Sequence, residues 1–573
     1  MDYIKKHSRL FFLILLFFLC TILYFLNMGE YPLIDTDETK FVSIARDMLN
    51  LNDWITPKLN GTNYYDSTPL LFWLINISFL VFGKISTFAA RIPIFIICAF
   101  GFLFLFFTVS KILTKTYAII ISLIMMTSFG IIVFGRLTTN DILFSFISMI
   151  SILLSFLLLM TNTKIKKDII WILIYIFISL SILAGGIFGI LPIIILLILH
   201  LFAGKLKDIF KPIRLFIGLI ILFLIASPWF LIMFKQHGIP FIKIFLLNYD
   251  LIENISIKNC IYSIGLFLLG FMPWTFAFLW IIGSKYKDIK DSIISYFKDN
   301  SQDKLNEKWH KLSKVDKFLS LNTIVFFTSL IFAILYGSKY LYLILFLTFP
   351  ASCISGHYWY EYIFRNKHDK SIFFATIIPN LLFIICSFIG LFGHNFINTL
   401  TTYGFNFLII PLIIIFFIIP LISIFSVILN GRMVSFISNL ILMISLSFIL
   451  TPGIFNFITI NGGEKDLIEF ARKSNIDKVK LATFTASKKY SLVYYYDGQV
   501  DYHSNKDFKW LKEFLSTNDN GYVITEIKDL WNIEAENIKY MLLDSGKRYC
   551  LLKYLPEVKE EEEENNNIEL IIN

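Results

Sequence analysis

The sequence predicts an α-helical protein that crosses a membrane many times and carries a small C-terminal α/β domain. Hydrophobic residues make up 57% of the 573 positions, and 62 residues are Phe. The mean hydropathy is +0.71, whereas soluble globular proteins contain only about 45–50% apolar residues. Long apolar runs recur up to residue 452, and the segment after them alternates between strand-like and helix-like patterns.

Thirteen apolar runs are long enough to span a bilayer, since a membrane helix needs about 20 residues. The first run, Leu10–Met28, contains no charge and follows a basic N-terminus, which predicts a retained signal anchor with a cytoplasmic N-terminus. The run 169–203 is too long for one helix, and Ala184-Gly185-Gly186 predicts a turn inside it. The other predicted spans are 92–110, 116–135, 142–160, 169–184, 187–203, 213–234, 261–283, 318–336, 340–359, 372–392, 403–430 and 433–452.

A further apolar run, Leu70–Phe82, is assigned by the distribution of charge. If this run is not a span, the loops on the side of the N-terminus hold most of the Lys and Arg residues, including nine Lys between 285 and 317. Basic residues collect on the cytoplasmic side of membrane proteins. We therefore predict thirteen spans, with residues 70–82 as a juxtamembrane helix on the outer face. The same rule explains the net charge of +9 without a nucleic-acid partner.

Residues 460–556 are predicted to form an extracytoplasmic α/β domain after a transmembrane module of residues 1–459. The acidic segment 557–573 has too few apolar residues to fold and is predicted to be disordered. The six Cys residues show no paired spacing, so we expect packing roles rather than a disulfide framework or a zinc site. The strand-like patterns are 480–485, 491–496 and 521–526, and the helix-like patterns are 464–474, 507–516 and 533–544.

The first outer loop, residues 29–91, opens with the charged stretch PLIDTDETKF. It places Asp35, Asp37 and Glu38 where the chain first leaves the hydrocarbon. These acids are either solvated groups at a helix N-terminus, where the helix dipole favours negative charge, or part of a site. Asp141 lies at another outer mouth, in FGRLTTNDILF. Two such carboxylates favour a site, because ionisable residues at these positions in membrane proteins are usually functional.

The same stretches carry a resemblance to a known family. PLIDTDETKFVSIARDML, DWITPKLNG, YYDSTPLLFWL and GRLTTND resemble, in order and approximate spacing, the GT-C transferases that use polyprenyl-phosphate sugars. The similarity covers about residues 10–350 and is greatest to the bacterial aminoarabinose transferases and protein O-mannosyltransferases. It implies a glycosyltransferase of the bacterial inner membrane. Such an enzyme moves a sugar from an undecaprenyl-type phosphate to lipid A, an envelope glycan or another acceptor on the outer side.

The resemblance also implies roles for single side chains. Asp37 corresponds to the catalytic carboxylate of the family, Glu38 stands beside it, and Asp141 matches the second family acid. A carboxylate can take the acceptor's proton or stabilise an oxocarbenium-like transition state. The leaving phosphate needs cations in a site of low dielectric constant, and Lys40 follows the motif as one of them.

Two further basic residues on the outer side are predicted to bind substrate, each with an alternative role. Arg136 either contacts the phosphate or forms an ion pair with nearby Asp141. Lys339 either contacts the phosphate or extends to the membrane interface as an anchor.

One part of the loop departs from the family. Family members commonly have Phe-Glu-Lys-Pro-Pro where this chain has Tyr65-Asp66-Ser67-Thr68-Pro69. The acid is therefore shorter, and the Lys is replaced by Ser67. We assign Tyr65 and Asp66 to substrate binding, with a solvated loop acid as the alternative for Asp66.

A divalent metal is the one cofactor that the sequence leaves open. Asp66 is one candidate ligand. The outer segment 244–256 has no His or Arg where aminoarabinose transferases tend to offer them, so a metal site there is not carried over from the family, and Asp250 is the nearest substitute. His237 stands alone in its loop and is predicted to be a surface residue rather than a ligand.

Three other functions fit parts of the pattern. A protein O-mannosyltransferase-like enzyme would use the same motifs with a protein acceptor. A lipid transporter would place polar groups near mid-membrane and contain related halves, whereas the polar groups here collect at the outer ends of the predicted spans. A non-catalytic scaffold would account for the missing Lys at Ser67.

Overall fold

The computed structural model describes ten stretches of the chain: residues 2–35, 37–160, 164–247, 256–283, 302–337, 339–367, 369–392, 414–449, 463–517 and 521–554. The chain divides into two compact units. The first comprises Met1–Tyr31, Met48–Pro57 and Tyr64–Ile454, and the second comprises Pro32–Asp47, Lys58–Asn63 and Phe455–Asn573. Part of the first outer loop therefore belongs to the same unit as the C-terminal segment.

The first unit is built from apolar helices, which satisfy their backbone hydrogen bonds internally as a membrane requires. Its helices are Asp2–Cys20, Leu70–Phe82, Thr87–Ile112, Lys115–Met126, Phe129–Phe134, Asn140–Met160, Lys164–Gly185, Leu191–Phe202, Pro212–Ile225, Ser227–Leu247, Ile257–Gly270, Thr275–Gly283, Gln302–Lys311, Lys314–Tyr336, Leu341–Phe346, Thr348–Arg365, Asp369–Phe392, Ile419–Ile428 and Arg432–Ile449. Short 3₁₀ or π segments lie at Thr21–Phe25, Gly186–Ile190, Leu206–Asp208 and Ile414–Ile418.

These helices make the protein a multi-pass membrane protein. Within the part of the chain that the structure describes, five helical segments are long and apolar enough to cross a membrane, and two bent helix pairs pass the same test. The arrangement of thirteen spans stays a prediction, and residues 403–413 of one predicted span lie outside the described residues, as does the acidic segment 557–573.

The predicted turn at Ala184-Gly185-Gly186 is confirmed. The chain leaves the helix at Gly185 and turns at Gly186, whose φ is +58°. The ring centroids of Trp171 and His200 are 5.5 Å apart, although a continuous helix would separate these residues by about 43 Å. The two helices are therefore antiparallel neighbours, and Gly189 lies at the point of closest approach.

The predicted span 116–135 is interrupted in the structure. The hydroxyl groups of Thr127 and Ser128 donate to backbone carbonyls one turn earlier, at 2.7 and 2.8 Å. Such bonds compete with the helical ladder. The helix ends at Met126 and a short helix starts at Phe129.

Two other predicted spans are bent. Residues 213–234 bend by 46° between Ile225 and Ser227, next to Pro228, which has no N–H group to donate. Residues 261–283 turn by 117° between Gly270 and Thr275. Each break lies at a Gly or Pro inside an otherwise apolar run, and no bend was predicted at either place.

Residues Leu70–Phe82 form a helix, as predicted. The helix ends at Gly83, which adopts the left-handed conformation with a φ of +63°, a conformation that costs glycine little. Ser78 Oγ donates to the carbonyl of Ala89 at 2.5 Å, so this helix packs against the start of Thr87–Ile112. Its position along the outer membrane face stays a prediction.

The second unit contains a five-stranded sheet. The chain first forms a small hairpin, β1 (Lys58–Leu59) with β2 (Thr62–Asn63). The strands of the sheet are β3 (Lys480–Phe484), β4 (Val500–His503), β5 (Gly521–Glu526), β6 (Met541–Ser545) and β7 (Tyr549–Lys553). Their order is β4-β3-β5-β7-β6, in which β3, β4 and β5 are parallel and β7 runs antiparallel to β5 and β6.

Side chains from alternate positions of the strands build an apolar cluster on each face of the sheet. Leu481 and Ile524 join one cluster, and Phe484 and Val523 join the other. The helices of this unit are Asp37–Asn50, which begins in it, and Glu464–Asp477, Tyr490–Tyr495, Phe508–Thr517 and Leu530–Ala535, with a 3₁₀ turn at Ile527–Asp529.

The secondary structure predicted for the C-terminal segment is confirmed at four of six places. The strands 480–485 and 521–526 and the helices 464–474 and 507–516 are present. The predicted strand 491–496 is a helix, and the predicted helix 533–544 is a short helix followed by β6. Short apolar runs do not distinguish strand from helix by periodicity.

We expect Gly189→Ala to destabilise the first unit. A Cβ at this position would lie 2.3 Å from Ile182 Cα, and overpacking of this kind costs about 1–3 kcal/mol. The measurement is the midpoint of thermal unfolding in detergent, followed by tryptophan fluorescence. Gly265→Ala is the matched control, because no atom lies within 4 Å of a Cβ there. Equal midpoints for the two variants would contradict the tight turn.

Candidate functional site

The predicted site residues fall into both compact units. Asp37, Glu38 and Lys40 belong to the second unit. The first unit contains Asp141, Arg136, Lys339, Tyr65 and Asp66. Asp250 lies outside the described residues.

Asp37 is an exposed carboxylate in the first turn of its helix. Lys40, one turn later, donates from Nζ to Asp37 Oδ1 at 2.6 Å, and the Asp37 side chain is 58% exposed. Ion pairs this exposed contribute about 0.2–1 kcal/mol. Asp37 can therefore exchange Lys40 for a substrate group at little cost.

The Glu38 side chain is buried beside Asp37 and accepts a hydrogen bond from the backbone. Its Oε2 accepts a hydrogen bond from the N–H of Ile34 at 2.9 Å. An acidic side chain that reaches back to an N–H ahead of its own helix acts as a cap. The structure gives Glu38 a part in shaping the turn before Asp37, and a direct catalytic role stays a prediction.

Asp35 connects this turn to the C-terminal part of the second unit. Its Oδ1 accepts from Thr39 Oγ1 at 2.7 Å and from the N–H of Ser491 at 3.2 Å. Burial raises the pKa of Asp35, and the Thr39 hydroxyl and the charge of Lys489 oppose that rise. No pattern in the sequence indicates Ser491 as the partner, which lies 456 residues away.

A second buried carboxylate, Glu464, interacts electrostatically with Asp35. Burial is the main cause that raises the pKa of Glu464 to about 7, and the charge of Asp35 adds to the rise, whereas Lys489 and Arg548 oppose it. Four buried polar atoms around these carboxylates have no hydrogen-bond partner among the described residues: Asp35 Oδ2, Glu464 Oε2, Ser491 Oγ and Tyr549 Oη. Such groups are the usual partners of a buried water, which makes about three hydrogen bonds.

In the first unit, Asp141 lies in the first turn of the helix Asn140–Met160. Asn140 Nδ2 donates to Ser67 Oγ at 2.8 Å. The structure thereby brings the segment that contains Tyr65 and Asp66 next to the start of the helix with Asp141. Ser67, which stands where the family commonly has Lys, is buried and serves as the acceptor of this bond.

Tyr65 packs on His237, whose ring centroid is 5.4 Å from that of the phenol. The imidazole Nε2 lies 2.9 Å from Thr56 Oγ1, and Trp229 Nε1 donates to the carbonyl of Ile55 at 2.9 Å. His237 is half-buried and contacts the first loop, which the sequence analysis did not predict. Trp229 and His237 are eight residues apart, a spacing that places two side chains on one helix face.

Lys339 is an exposed residue whose Nζ lies 5.7 Å from the ring centroid of Tyr340. Ser145, one turn after Asp141, donates from Oγ to the carbonyl of Tyr342 at 3.1 Å. The segment that follows Lys339 therefore adjoins the helix with Asp141. The sequence analysis did not single out the aromatic rings that pack here, namely those of Phe188, Tyr336, Tyr340 and Tyr342.

Arg136 is buried, and its guanidinium hydrogen bonds go to neighbours other than Asp141. Nη1 donates to the carbonyl of Leu26 at 3.2 Å, and Nη2 donates to Ser447 Oγ at 2.9 Å. Arg136 thus anchors the end of the first helical segment. A direct contact with substrate stays a prediction, and it would compete with these bonds.

Arg91, which was not among the predicted site residues, is fully buried at the other end of the first outer loop. Its Nη1 donates to the carbonyls of Met28 and Tyr31 at 2.7 and 3.0 Å, and its guanidinium lies 3.9 Å from the centroid of the Tyr31 ring. A buried charge is costly without such partners. The signal in the sequence was an Arg at the edge of an apolar run, in FAARIPIF.

The described residues contain no group of three His, Cys, Asp or Glu side chains that could hold a metal ion. Asp66 alone supplies too few ligands for a divalent cation, which usually takes six or more oxygen ligands in all. A metal cofactor therefore stays a prediction.

Comparison with known proteins identifies the fold. A solved structure, ArnT from Cupriavidus metallidurans bound to undecaprenyl phosphate, matches with a TM-score of 0.72 and 13% identity, and the match covers 95% of this chain and 98% of that chain. The chain has the ArnT fold. Residues 66–232 also match the family described as dolichyl-phosphate-mannose-protein mannosyltransferase. The resemblance to GT-C transferases that the loop motifs predicted is confirmed.

Two curated relatives are undecaprenyl phosphate-α-4-amino-4-deoxy-L-arabinose arabinosyl transferases. The protein from Photorhabdus laumondii is 24% identical over 297 residues, which cover 50% of this chain and 52% of the relative. The protein from Yersinia enterocolitica is 26% identical over 275 residues, 46% of this chain and 48% of the relative. The chain with the ArnT fold thus spans about half the length of the curated relatives it matches.

We expect Glu464→Gln to remove a pH dependence of the second unit. The pKa of Glu464 is raised from 4.5 to about 7. The stability that this group contributes is therefore fully present below its ordinary pKa and is lost as the pH rises through about 7. The expected loss is on the order of 2 kcal/mol.

The measurement is hydrogen exchange of the helix Glu464–Asp477 in the full chain at pH 5 and at pH 8. Exchange in the wild type should accelerate relative to Glu464→Gln at the higher pH. Glu469→Gln, at an exposed position of the same helix, should behave as the wild type does. Identical pH profiles for wild type and Glu464→Gln would show that the raised pKa is wrong.

Proposed function

We propose that the protein is a membrane glycosyltransferase that moves a sugar from an undecaprenyl-type polyprenyl phosphate to lipid A, an envelope glycan or another acceptor. Three findings support the proposal: the ArnT fold, the arabinosyl transferases among its relatives, and the loop motifs. The observation that carries it is Asp37, an exposed carboxylate held at the start of a helix by an ion pair that costs little to break.

Asp37 acts on the acceptor. As the acceptor oxygen bonds to the anomeric carbon, its proton moves to the Asp37 carboxylate, and the bond from that carbon to the phosphate oxygen breaks with its electron pair on the phosphate. General-base help of this kind contributes about 10²–10⁴ in rate. Lys40, released from Asp37 by the substrate, offers its charge to the departing phosphate.

The residues of the first unit act on the donor. Asp141 supplies the second carboxylate, and Lys339 supplies a positive charge for the phosphate. Tyr65 and Asp66 take part in substrate binding. Arg136 contributes its charge from a buried position while it anchors the end of the first helical segment.

A protein O-mannosyltransferase-like activity is the second candidate. The match of residues 66–232 to the mannosyltransferase family favours it. Incubation with lipid-linked sugars and with either lipid A or a peptide acceptor separates the two candidates, because only the acceptor that the enzyme uses becomes labelled. A lipid transporter or a scaffold would label neither acceptor.

The proposal places the N-terminus in the cytoplasm of a bacterium and the second unit outside the cytoplasmic membrane. The excess of Lys and Arg in alternate loops supports this orientation. An extracytoplasmic Asp37 is required by the proposed chemistry, since lipid-linked envelope acceptors are glycosylated on that side.

We expect Asp37→Asn to abolish sugar transfer. The amide cannot take the acceptor's proton, so the rate should fall by about 10²–10⁴-fold. The measurement is transfer of label from a polyprenyl-phosphate sugar by the purified protein. The control is Glu536→Gln, at an exposed acid of the second unit, which should leave the rate unchanged. Transfer by Asp37→Asn at the wild-type rate would end the catalytic assignment.

We expect a cysteine at position 497 to react from outside the cell and one at position 307 to remain unlabelled. Asp497 and Glu307 are both exposed, but positive-inside orientation places them on opposite sides. Intact cells that express Asp497→Cys or Glu307→Cys are treated with a membrane-impermeant maleimide, with the wild type as the measure of labelling at native cysteines. The reverse pattern would invert the proposed topology.

A further inference from the structure

A six-residue helix of the second unit, Tyr490–Tyr495, needs partners at both of its ends. We call it the anchor helix. The first N–H groups and the last carbonyls of any helix have no partner within the helix. In a helix this short nearly every backbone group is an end group, so its surroundings must supply most of its hydrogen bonds.

The last carbonyls of the anchor helix are satisfied by two side chains. Arg46 Nη1 donates to the carbonyl of Tyr494 at 2.6 Å, and Arg46 Nη2 donates to the carbonyl of Val493 at 2.8 Å. Asn475 Nδ2 donates to the carbonyl of Tyr495 at 2.9 Å. The planar guanidinium suits this task, because it presents two N–H groups in a fixed fork.

The first turn of the anchor helix is satisfied from the same loop segment. The N–H of Ser491 donates to Asp35 Oδ1 at 3.2 Å. Asp35 precedes Asp37 and Arg46 follows it, and the ten residues from Asp37 to Arg46 belong to one helix. That helical stretch is about 14 Å long, so its two ends are attached to the two ends of the anchor helix.

A third attachment comes from the hairpin of β1 and β2. Asn60 Nδ2 donates to the carbonyl of Val500 at 2.7 Å, and the N–H of Val500 donates to Asn60 Oδ1 at 2.9 Å. The amide side chain thus pairs with the first residue of β4 as a neighbouring strand would. Beside it, Gly61 has a φ of +78°, and the side chain of Gln499 fills the space that a Cβ would occupy.

We propose that the C-terminal part of the second unit positions Asp37 for the reaction, and that Asp35, Arg46 and Asn60 are positioning residues. The inference rests on the proposed function, in which Asp37 acts on the acceptor. Attachment just ahead of the helix, at Asp35, and within it, at Arg46, fixes its axis, and the hairpin fixes the chain that follows. A shift of about 1 Å in a reacting group can cost about 10²-fold in rate.

Arg46→Ala tests the proposal through two readouts on the full chain. It removes both bonds to the anchor helix, so we expect kcat to fall at least tenfold and KM for the polyprenyl-phosphate sugar to change less than twofold. Hydrogen exchange of the helix Asp37–Asn50 should accelerate, while exchange of Asn140–Met160 stays at the wild-type rate. Arg46→Lys, which can reach one carbonyl, should restore part of kcat.

Asn60→Asp is the second variant, because it loses one donor with little change in shape. Asn52→Asp is its matched control, since both residues have a positive φ, +53° for Asn60 and +51° for Asn52, and Asn52 is exposed. We expect kcat to fall several-fold for Asn60→Asp and to remain unchanged for Asn52→Asp. Exchange at residues 58–63 should accelerate only in the first variant.

The proposal is overturned if Arg46→Ala and Asn60→Asp retain the wild-type kcat, or if kcat falls with no change in exchange at Asp37–Asn50. The proposed function fails separately, since Asp37→Asn is expected to abolish transfer without changing exchange. If Asp37→Asn remained active while Arg46→Ala loosened its helix, the attachment would stand and only its catalytic purpose would be lost.

Discussion

The ends of one short helix, whose backbone groups need partners outside the helix, set the conformation of the chain around Asp37. Buried backbone groups need partners, and the anchor helix finds them in Asp35 and Arg46 of the first outer loop. The partnership works in both directions, because the same bonds give the loop a defined conformation in which Asp37 is exposed. The proposed catalytic role of Asp37 requires that its carboxylate be held by rigid elements, and the second unit supplies them.

The start of the loop depends on a different device. Arg91 is buried and binds two carbonyls of the chain that leaves the first helical segment, and Arg136 binds a third. Burying a guanidinium group is unfavourable unless its N–H groups find hydrogen-bond acceptors. Arg91 and Arg136 find such acceptors in backbone carbonyls that follow the first helical segment. In the first unit, Arg136 therefore has a structural role, and its contact with substrate stays a prediction.

Much of the architecture could be predicted from local patterns. The apolar runs predicted most of the helices, and Gly185-Gly186 predicted a reversal of the chain. The DETK stretch indicated the exposed carboxylate of Asp37. The patterns failed where one residue decides between two local structures. Pro228 bends a helix that reads as continuous, and SLVYYY is a helix although its β-branched and aromatic residues favour a strand. The partners of Asp35 and Arg46 were beyond prediction, because nothing in either segment encodes a contact across more than 440 residues.

That separation has a consequence for biosynthesis. Ser491 leaves the ribosome 456 residues after Asp35, a delay of about 20–90 s at ordinary rates of translation. During that interval the membrane helices can insert one after another, while the first outer loop still lacks its hydrogen-bond partners in the anchor helix. A nascent or prematurely terminated chain would display the acidic motif in an unorganised state. The segment around Asp37 would then be held in place only after the anchor helix and β4 have been made, which ties the onset of the proposed chemistry to synthesis of the second unit.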